Sequence, residues 1–222
     1  MFSYEGLLRI NTVLTGVYRM AYLNILWIAG VLAGLVVFGL GPASYALASY
    51  VDGWFRRGDL PPVARTFFAS MRAEFWRSCA MGWILLAAGA IIVTNIFGAS
   101  EWAIRFLNVV ALFVLVVAAA YAFPIAAATD LTAVHRRFGA ALMIGFGSLH
   151  WTILAVAASG GALWLIWQFA APLLIVFGIG IPSAAFGFVT RIVFRQLAGD
   201  AGDPSPTRHS LPPMNTARGI TE

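Results

Sequence analysis

Long uncharged stretches alternate along the chain with short segments that contain nearly all of its ionisable residues. A stretch of about 20 apolar residues is long enough to cross the hydrocarbon core of a bilayer as a helix. Between Arg137 and Arg191 no Lys, Arg, Asp or Glu occurs, and this interval accommodates two crossings if it divides at Pro172. The pattern predicts an all-α, polytopic membrane helix bundle with about five transmembrane helices, over residues 21–40, 78–97, 106–129, 149–170 and 172–190.

Proline and glycine mark where these helices are expected to end or bend. The first helix is predicted to end at Gly39-Leu40-Gly41-Pro42, because proline lacks a backbone donor and glycine loosens the turn. Pro124 is expected to kink the third helix near its end. Residues 1–197 are therefore predicted to form one transmembrane domain. The segment 198–222, rich in Gly, Pro, Ser and Thr, is predicted to be a disordered cytoplasmic tail.

Two charged segments have a helical periodicity of their own, which predicts interfacial helices over residues 60–77 and 131–147. Both are expected to lie at the inner membrane surface, with their arginines toward anionic headgroups, and to lead directly into a transmembrane helix. A solvated loop helix without lipid contact is the alternative. The same arrangement at 64–93 and at 131–161 indicates a distant internal duplication. The apolar stripes consist of Ala64, Phe68, Met71 and Phe75 in the first segment and of Leu131, Val134, Phe138 and Leu142 in the second.

Composition narrows the classes of function. The 222 residues are 61% hydrophobic and 10% charged, whereas soluble domains average about 45–50% and about 25%, so a soluble enzyme is not expected. Cys79 is the one cysteine, which excludes an intramolecular disulfide and a cysteine-cluster metal site, and no metal or cofactor is predicted. All 14 basic residues are arginines that lie between apolar runs rather than along one soluble face, so nucleic acid is not a predicted partner.

The arginines also predict an orientation, because basic residues are retained on the cytoplasmic side. With five crossings, three arginine-containing segments fall on one side and only Arg9, Arg19 and Arg105 on the other. This predicts an N-terminus outside and a C-terminus in the cytoplasm. The alternative is a first run that re-enters at Pro42, which would keep the N-terminus inside. The three segments contain Arg56, Arg57, Arg65, Arg72 and Arg77; Arg136 and Arg137; and Arg191, Arg195, Arg208 and Arg218.

Few side chains within the predicted spans could carry chemistry. Asp130 ends the third span at the interface, and His150 is the one side chain in the long uncharged interval that titrates near neutral pH. His150 could relay protons or bind a ligand, but the favoured interpretation is a polar-tipped ring at the cytoplasmic start of the fourth span, beside Trp151. The sequence contains no Walker motif, G-x-S-x-G or CxxC, so the chain is predicted not to be an enzyme. Polar residues inside the spans, such as Asn24, are expected mostly to make packing contacts.

Three stretches of the chain resemble the YesL-like (DUF624) integral membrane proteins: FSYEGLLRINTVLTGVYRMAYLNILWIAGVLAGLVVFGLGPASYALASY, TFFASMRAEFWRS and YAFPIAAATDLTAVHRRFGAALMIGF. The resemblance extends to about Leu197. The matching motifs are typical of the fold of this family and not of a catalytic site. The resemblance therefore identifies no catalytic residue. The most telling of these motifs are Asn24 with Leu26-Trp27, Gly41-Pro42-Ala43, Phe67-Phe68 with Phe75, and Tyr121 with Phe123-Pro124.

The resemblance implies a multi-pass protein of the bacterial cytoplasmic membrane whose relatives are associated with carbohydrate uptake. We therefore expect an accessory or assembly component of an ABC-type carbohydrate uptake system, with the lipid bilayer and the permease subunits as partners. An autonomous small-solute (sugar) transporter or channel is the alternative. A second copy of the chain, in a homo-oligomer, is a further candidate partner. The candidate structural or functional residues are Asn24, Pro42, Phe75, Tyr121, Pro124, Asp130 and His150.

Overall fold

The structure is a computed structural model that describes residues 4–57, 61–129 and 131–202. These residues form helices joined by short connections and contain no strand. Five segments are long and apolar enough to span a membrane, which confirms the prediction of an all-α membrane helix bundle: Ile10–Ala33, Phe75–Gly98, Trp102–Ala128, Leu149–Ala170 and Leu173–Gln196.

The helices follow one another with few intervening residues. In chain order they are α1 (Tyr4–Ala33), α2 (Leu40–Asp52) with a π-helical turn (Gly53–Arg57), α3 (Val63–Ala73), α4 (Phe75–Gly98), α5 (Trp102–Ala128), α6 (Val134–Gly147), α7 (Leu149–Ala170), α8 (Leu173–Phe177) and α9 (Gly180–Gly202). The helix α9 continues into the segment predicted to be a disordered tail, and residues 203–222 lie outside the described residues.

The first predicted span differs most from the structure. The helix predicted over 21–40 ends at Ala33, and residues 34–39 form a turn after which α2 begins. Pro42 was expected to end a helix, and this prediction is wrong, because Pro42 is the third residue of α2. A proline fits there since the first backbone N–H groups of a helix have no partner within it.

The turn between α1 and α2 packs against the first turns of α4. Leu35 and Val36 adopt left-handed backbone conformations, with φ of 51° and 65°, which are unusual for residues other than glycine. The backbone carbonyls of Val37 and Phe38 accept hydrogen bonds from Trp83 Nε1 at 2.9 Å and from Cys79 Sγ at 3.1 Å. Two side chains of α4 therefore satisfy carbonyl groups that the turn leaves without a helical partner.

The helices α1 and α2 lie close together because a glycine faces an alanine at their contact. A Cβ atom on Gly30 would lie 3.4 Å from Ala43 Cβ and 3.5 Å from Met71 Sδ. Gly30 of the sequence Gly30-x-x-x-Gly34 thus allows α2 to approach α1, whereas Gly34 lies in the turn after α1 and faces Gly39.

Replacing Gly41 by alanine is expected to destabilise the bundle by about 1–3 kcal/mol, because the added methyl group would overlap backbone that cannot rotate away. A Cβ on Gly41 would meet the carbonyl oxygen of Ser78 and would lie 3.1 Å from the backbone nitrogen of Cys79. Since Cys79 is the one cysteine and is buried, its rate of alkylation by a maleimide during a temperature ramp in mild detergent measures the opening of this contact. Gly139→Ala is the control, as nothing lies within 4 Å of a Cβ at that position. Equal alkylation profiles for the two variants would contradict the prediction.

Two helix–break–helix units have the same local geometry. Glu74 separates α3 from α4 with φ −115° and ψ 24°, and Ser148 separates α6 from α7 with φ −115° and ψ 43°. Four residues after each break, a hydroxyl oxygen lies within hydrogen-bond distance of the carbonyl oxygen of the break residue: Ser78 Oγ at 2.6 Å and Thr152 Oγ1 at 3.2 Å. The internal duplication predicted from the sequence therefore has a geometric counterpart in the fold.

The buried apolar residues form two clusters. One is centred on Tyr121 in α5 and includes residues of α4, α6, α7 and α9. The other lies between α1, α2 and α3 around Leu23, Leu47 and Phe67. Of the stripe predicted for this segment, Ala64 and Met71 pack on this cluster, but Phe68 is 42% exposed and the fully buried Phe67 takes its place.

Candidate binding groove

An elongated groove of about 330 Å³ lies between α2, α4, α5 and α9, and we refer to it as the central groove. Its lining residues fall within 40–52 of α2, 85–86 of α4, 119–124 of α5 and 179–190 at the start of α9. Leu86 and Ile179 line it and are 41% and 37% exposed. Both residues belong to segments that are long and apolar enough to span a membrane. The groove therefore opens on the surface that these two segments expose.

The polar side chains that line the central groove are Ser44, Asp52, Ser183 and Thr190, and the rest of the lining is apolar or glycine. Ser44 Oγ accepts a hydrogen bond from Trp27 Nε1 at 3.1 Å. The Thr190 hydroxyl donates to the carbonyl of Phe186 at 2.8 Å. Asp52 also has an interaction within the chain, so three of the four polar residues are already engaged and the surface is largely apolar.

Asn24 holds together the broken helix that lines one side of the groove. Its Oδ1 atom accepts hydrogen bonds from the backbone N–H groups of Ile179 at 3.0 Å and Gly180 at 3.1 Å, and its Nδ2 atom donates to the carbonyl of Ile175. Asn24 is 1% exposed. One side chain from α1 thus satisfies three backbone groups at the break between α8 and α9, where the helical hydrogen-bond pattern is interrupted.

Tyr121 lies directly behind the groove lining. Its side chain is fully buried, and its hydroxyl is 2.8 Å from Thr152 Oγ1, which in turn donates to the carbonyl of Gly145 at 3.0 Å. The Tyr121 ring meets Phe186 edge to face, with centroids 5.4 Å apart. Because Phe186 lines the groove, the network fixes a groove residue through contacts with α6 and α7.

A buried ion pair joins the two helix–break–helix units. Arg137 Nη2 lies 2.9 Å from Glu74 Oε2, and the two side chains are 3% and 19% exposed. Arg137 Nε also donates to the carbonyl of Leu131 at 2.6 Å, and the other carboxylate oxygen of Glu74 pairs with Arg77 at 2.9 Å. The prediction that Arg137 faces lipid headgroups is wrong, because its position on α6 turns it toward Glu74. Arg65, Arg72 and Arg136 are exposed.

The remaining candidates from the sequence lie at different distances from the groove. Pro124 lines it, four residues before the end of α5. Phe75 is the first residue of α4 and packs edge to face on Trp76 with centroids 5.5 Å apart. His150 is exposed in the first turn of α7, with its ring 5.5 Å from that of Trp151. Asp130 lies outside the described residues.

Sequence reasoning missed Glu74 and most of the groove. Glu74 is the one acidic residue between Asp59 and Glu101, and an isolated acid in an arginine-rich segment was the available signal for an ion pair. The groove gave no such signal, because its lining comes from four helices and is apolar. Within the described residues, no three His, Cys, Asp or Glu side chains are grouped so that they could hold a metal ion.

Comparison with known proteins gives a family model and two relatives. Residues 20–96, which extend from α1 to α4, match the model described as "Protein of unknown function, DUF624". The chain is 31% identical over 162 residues to the uncharacterized protein YesL of Bacillus subtilis, which covers 71% of this chain and 76% of YesL. It is 27% identical over 199 residues to the uncharacterized protein YteU of the same organism, over 87% of this chain and 88% of YteU. No solved structure matches the chain.

Proposed function

The chain belongs to the DUF624 family, and we propose that it is a non-enzymatic accessory or assembly subunit of an ABC-type carbohydrate uptake system in the bacterial cytoplasmic membrane. The association of YesL-like proteins with carbohydrate uptake, which the resemblance implies, supports the choice of system. An exposed apolar face on residues 10–18 of α1 supports the role of a subunit that docks on another membrane protein.

The observation that carries the proposal is an exposed apolar face on residues 10–18 of α1, which we refer to as the α1 arm. Its apolar residues recur at i, i+3, i+4, i+7 and i+8, the spacing of one helix face that packs against a neighbour. The opposite side is also exposed but carries Asn11, Thr12 and Thr15. The exposed fractions on the apolar face are 49% for Ile10, 60% for Val13, 61% for Leu14, 48% for Val17 and 67% for Tyr18.

The pattern of the α1 arm favours packing against a second protein over a helix that is surrounded by lipid. A helix that is surrounded by hydrocarbon is apolar all round, whereas an apolar stripe opposite polar residues is typical of a helix that packs on a partner. The ridges formed by residues three and four apart fit the grooves of another helix. A transmembrane helix of a carbohydrate permease is the proposed occupant.

Site-specific photo-crosslinking in native membranes tests the proposal. Benzoylphenylalanine in place of Leu14 is expected to crosslink to a permease subunit, which mass spectrometry of the purified product identifies. The same probe in place of Phe106 is the matched control, because Phe106 on α5 is 63% exposed but lies outside the α1 arm. Leu14→Arg should also reduce copurification of the permease in mild detergent, since a charge would be buried at the contact. Absence of a permease adduct at position 14, or equal adducts at both positions, would contradict the proposal.

An autonomous small-solute transporter is the second candidate, and the break between α8 and α9 favours it. Interrupted transmembrane helices form the substrate sites of many transporters, and Ile179 at this break lines the central groove. The engaged hydroxyls and apolar lining provide few hydrogen bonds for a sugar, so the accessory role is preferred. Proteoliposomes with the purified chain are expected to take up no sugar above protein-free liposomes. Uptake that Ala120→Phe in the groove abolishes would favour the transporter instead.

A further inference from the structure

The central groove has room for a hydrocarbon chain but not for a protein helix. The helix α2 lines it from Leu40 to Asp52, a length of about 18 Å at 1.5 Å per residue. A volume of about 330 Å³ spread over this length leaves less room than a helix with its side chains needs. A helix with its side chains is about 10–12 Å across and does not fit.

The lining of the groove also matches a hydrocarbon chain. The Ser44 oxygen and the Thr190 hydroxyl are engaged with Trp27 and Phe186, and Asp52 also has an interaction within the chain. A ligand rich in hydroxyl groups would give up its hydration and regain few hydrogen bonds here. A hydrocarbon chain has no hydrogen bonds to water to lose, and it gains dispersion contacts along the whole groove.

The opening of the groove determines which apolar molecule is available to it. Leu86 and Ile179 at the mouth are partly exposed and belong to segments long and apolar enough to cross a bilayer. In a membrane such side chains face the acyl chains of lipids. We propose that the central groove binds one acyl chain of a membrane phospholipid, which enters between Leu86 and Ile179.

Two polar residues behind the groove position residues that would contact the bound acyl chain. Asn24 fixes Ile179 at the mouth through its backbone N–H group, and Tyr121 packs on Phe186 in the lining. The first contact lies at the interruption between α8 and α9 and the second lies within α9, so both support the side of the groove that the fifth spanning segment forms. The bound chain is therefore expected to stay with the protein when the surrounding bilayer is replaced by mild detergent.

Native mass spectrometry of the protein in mild detergent tests the retention of lipid. One phospholipid per chain is expected to remain bound. Ala120→Phe and Ser183→Phe each place a ring in the groove and displace part of the acyl chain, and loss of about two buried methylene groups lowers the affinity about tenfold. Ala157→Phe is the control, since Ala157 is exposed on α7 and does not line the groove. Equal lipid retention in the two groove variants and the control would overturn the proposal.

Photolabelling of the unmodified protein locates the bound chain without any substitution in the groove. The probe is a phosphatidylglycerol with a diazirine at the end of one acyl chain, in vesicles of phosphatidylethanolamine and phosphatidylglycerol. Adducts are expected to concentrate on peptides that contain residues 119–124 and 179–190 of the groove. Labelling of these peptides no stronger than that of the exposed face around Phe106 would indicate ordinary surrounding lipid and overturn the proposal. A crosslink between a photoreactive residue at position 86 and a second copy of the chain, in place of lipid, would also overturn it.

Discussion

Replacing Arg137 by methionine is expected to lower the free energy of unfolding by about 3–5 kcal/mol, the usual effect of removing one partner of a buried ion pair. Methionine has a similar length but leaves the Glu74 carboxylate with Arg77 alone, and it leaves the carbonyl of Leu131 without the Nε donor. The link between the two helix–break–helix units would thus be lost. Maleimide alkylation of Cys79 during a temperature ramp in mild detergent measures the change.

The neighbouring arginine supplies a matched control for this variant. Arg136 is exposed on the same helix, so Arg136→Met is expected to change the unfolding free energy by less than about 0.5 kcal/mol. Glu74→Leu combined with Arg137→Met removes both charges and should restore part of the stability, because no uncompensated charge is left buried. If the variants at 136 and 137 unfold alike, the ion pair does not hold the two units together.

Asn24→Leu is expected to destabilise the bundle by about 3 kcal/mol or more, because it leaves three backbone polar groups at the break without their partner. Each unsatisfied buried group costs about 1–3 kcal/mol. The groups are the N–H of Ile179, the N–H of Gly180 and the carbonyl of Ile175. Asn24→Asp keeps the acceptor for the two N–H groups but loses the donor to Ile175, so its effect should be intermediate. Thermal unfolding of the variants in the same detergent gives the order.

Asn108→Leu is the control for the position-24 variants. Asn108 also lies in a spanning helix, but its Nδ2 atom donates only to the carbonyl of Ile104, four residues earlier in α5, at 2.9 Å. That carbonyl belongs to the continuous helix α5, so loss of the side-chain bond should cost little. A loss of stability at position 108 as large as at position 24 would show that the helix break does not depend on Asn24.

Local signals in the sequence were sufficient for the spanning helices that charges and proline delimit. The fourth span was predicted at 149–170 and the structure has α7 over Leu149–Ala170, while α4 and α5 begin within four residues of the predicted positions. The first span was misplaced because an uncharged run does not reveal a turn within it. The donors that make this turn possible, Cys79 and Trp83, are 41 and 46 residues away from the carbonyls they reach, and hydropathy contains no information about such pairs.

Part of the candidate site could be predicted, because a polar residue within an apolar run is unusual and therefore stands out in the sequence. Asn24 and Tyr121 were selected on that basis and by resemblance, and both support the groove lining. Their partners could not be predicted, since Asn24 bonds to backbone 151 to 156 residues away and a backbone group has no sequence signature. Arg137 resembled the other arginines that indicate topology, and only the turn of α6 that faces Glu74 distinguishes it.

The turn at 34–39 has a consequence for the order in which the protein assembles in the membrane. When α1 and α2 leave the ribosome, the carbonyls of Val37 and Phe38 lack the Trp83 and Cys79 side chains that later bond to them. Until α4 is synthesised, these carbonyls depend on water or on the insertion machinery, since hydrocarbon provides no donor. We therefore expect the first two helices to reach their final position in the membrane together with α4.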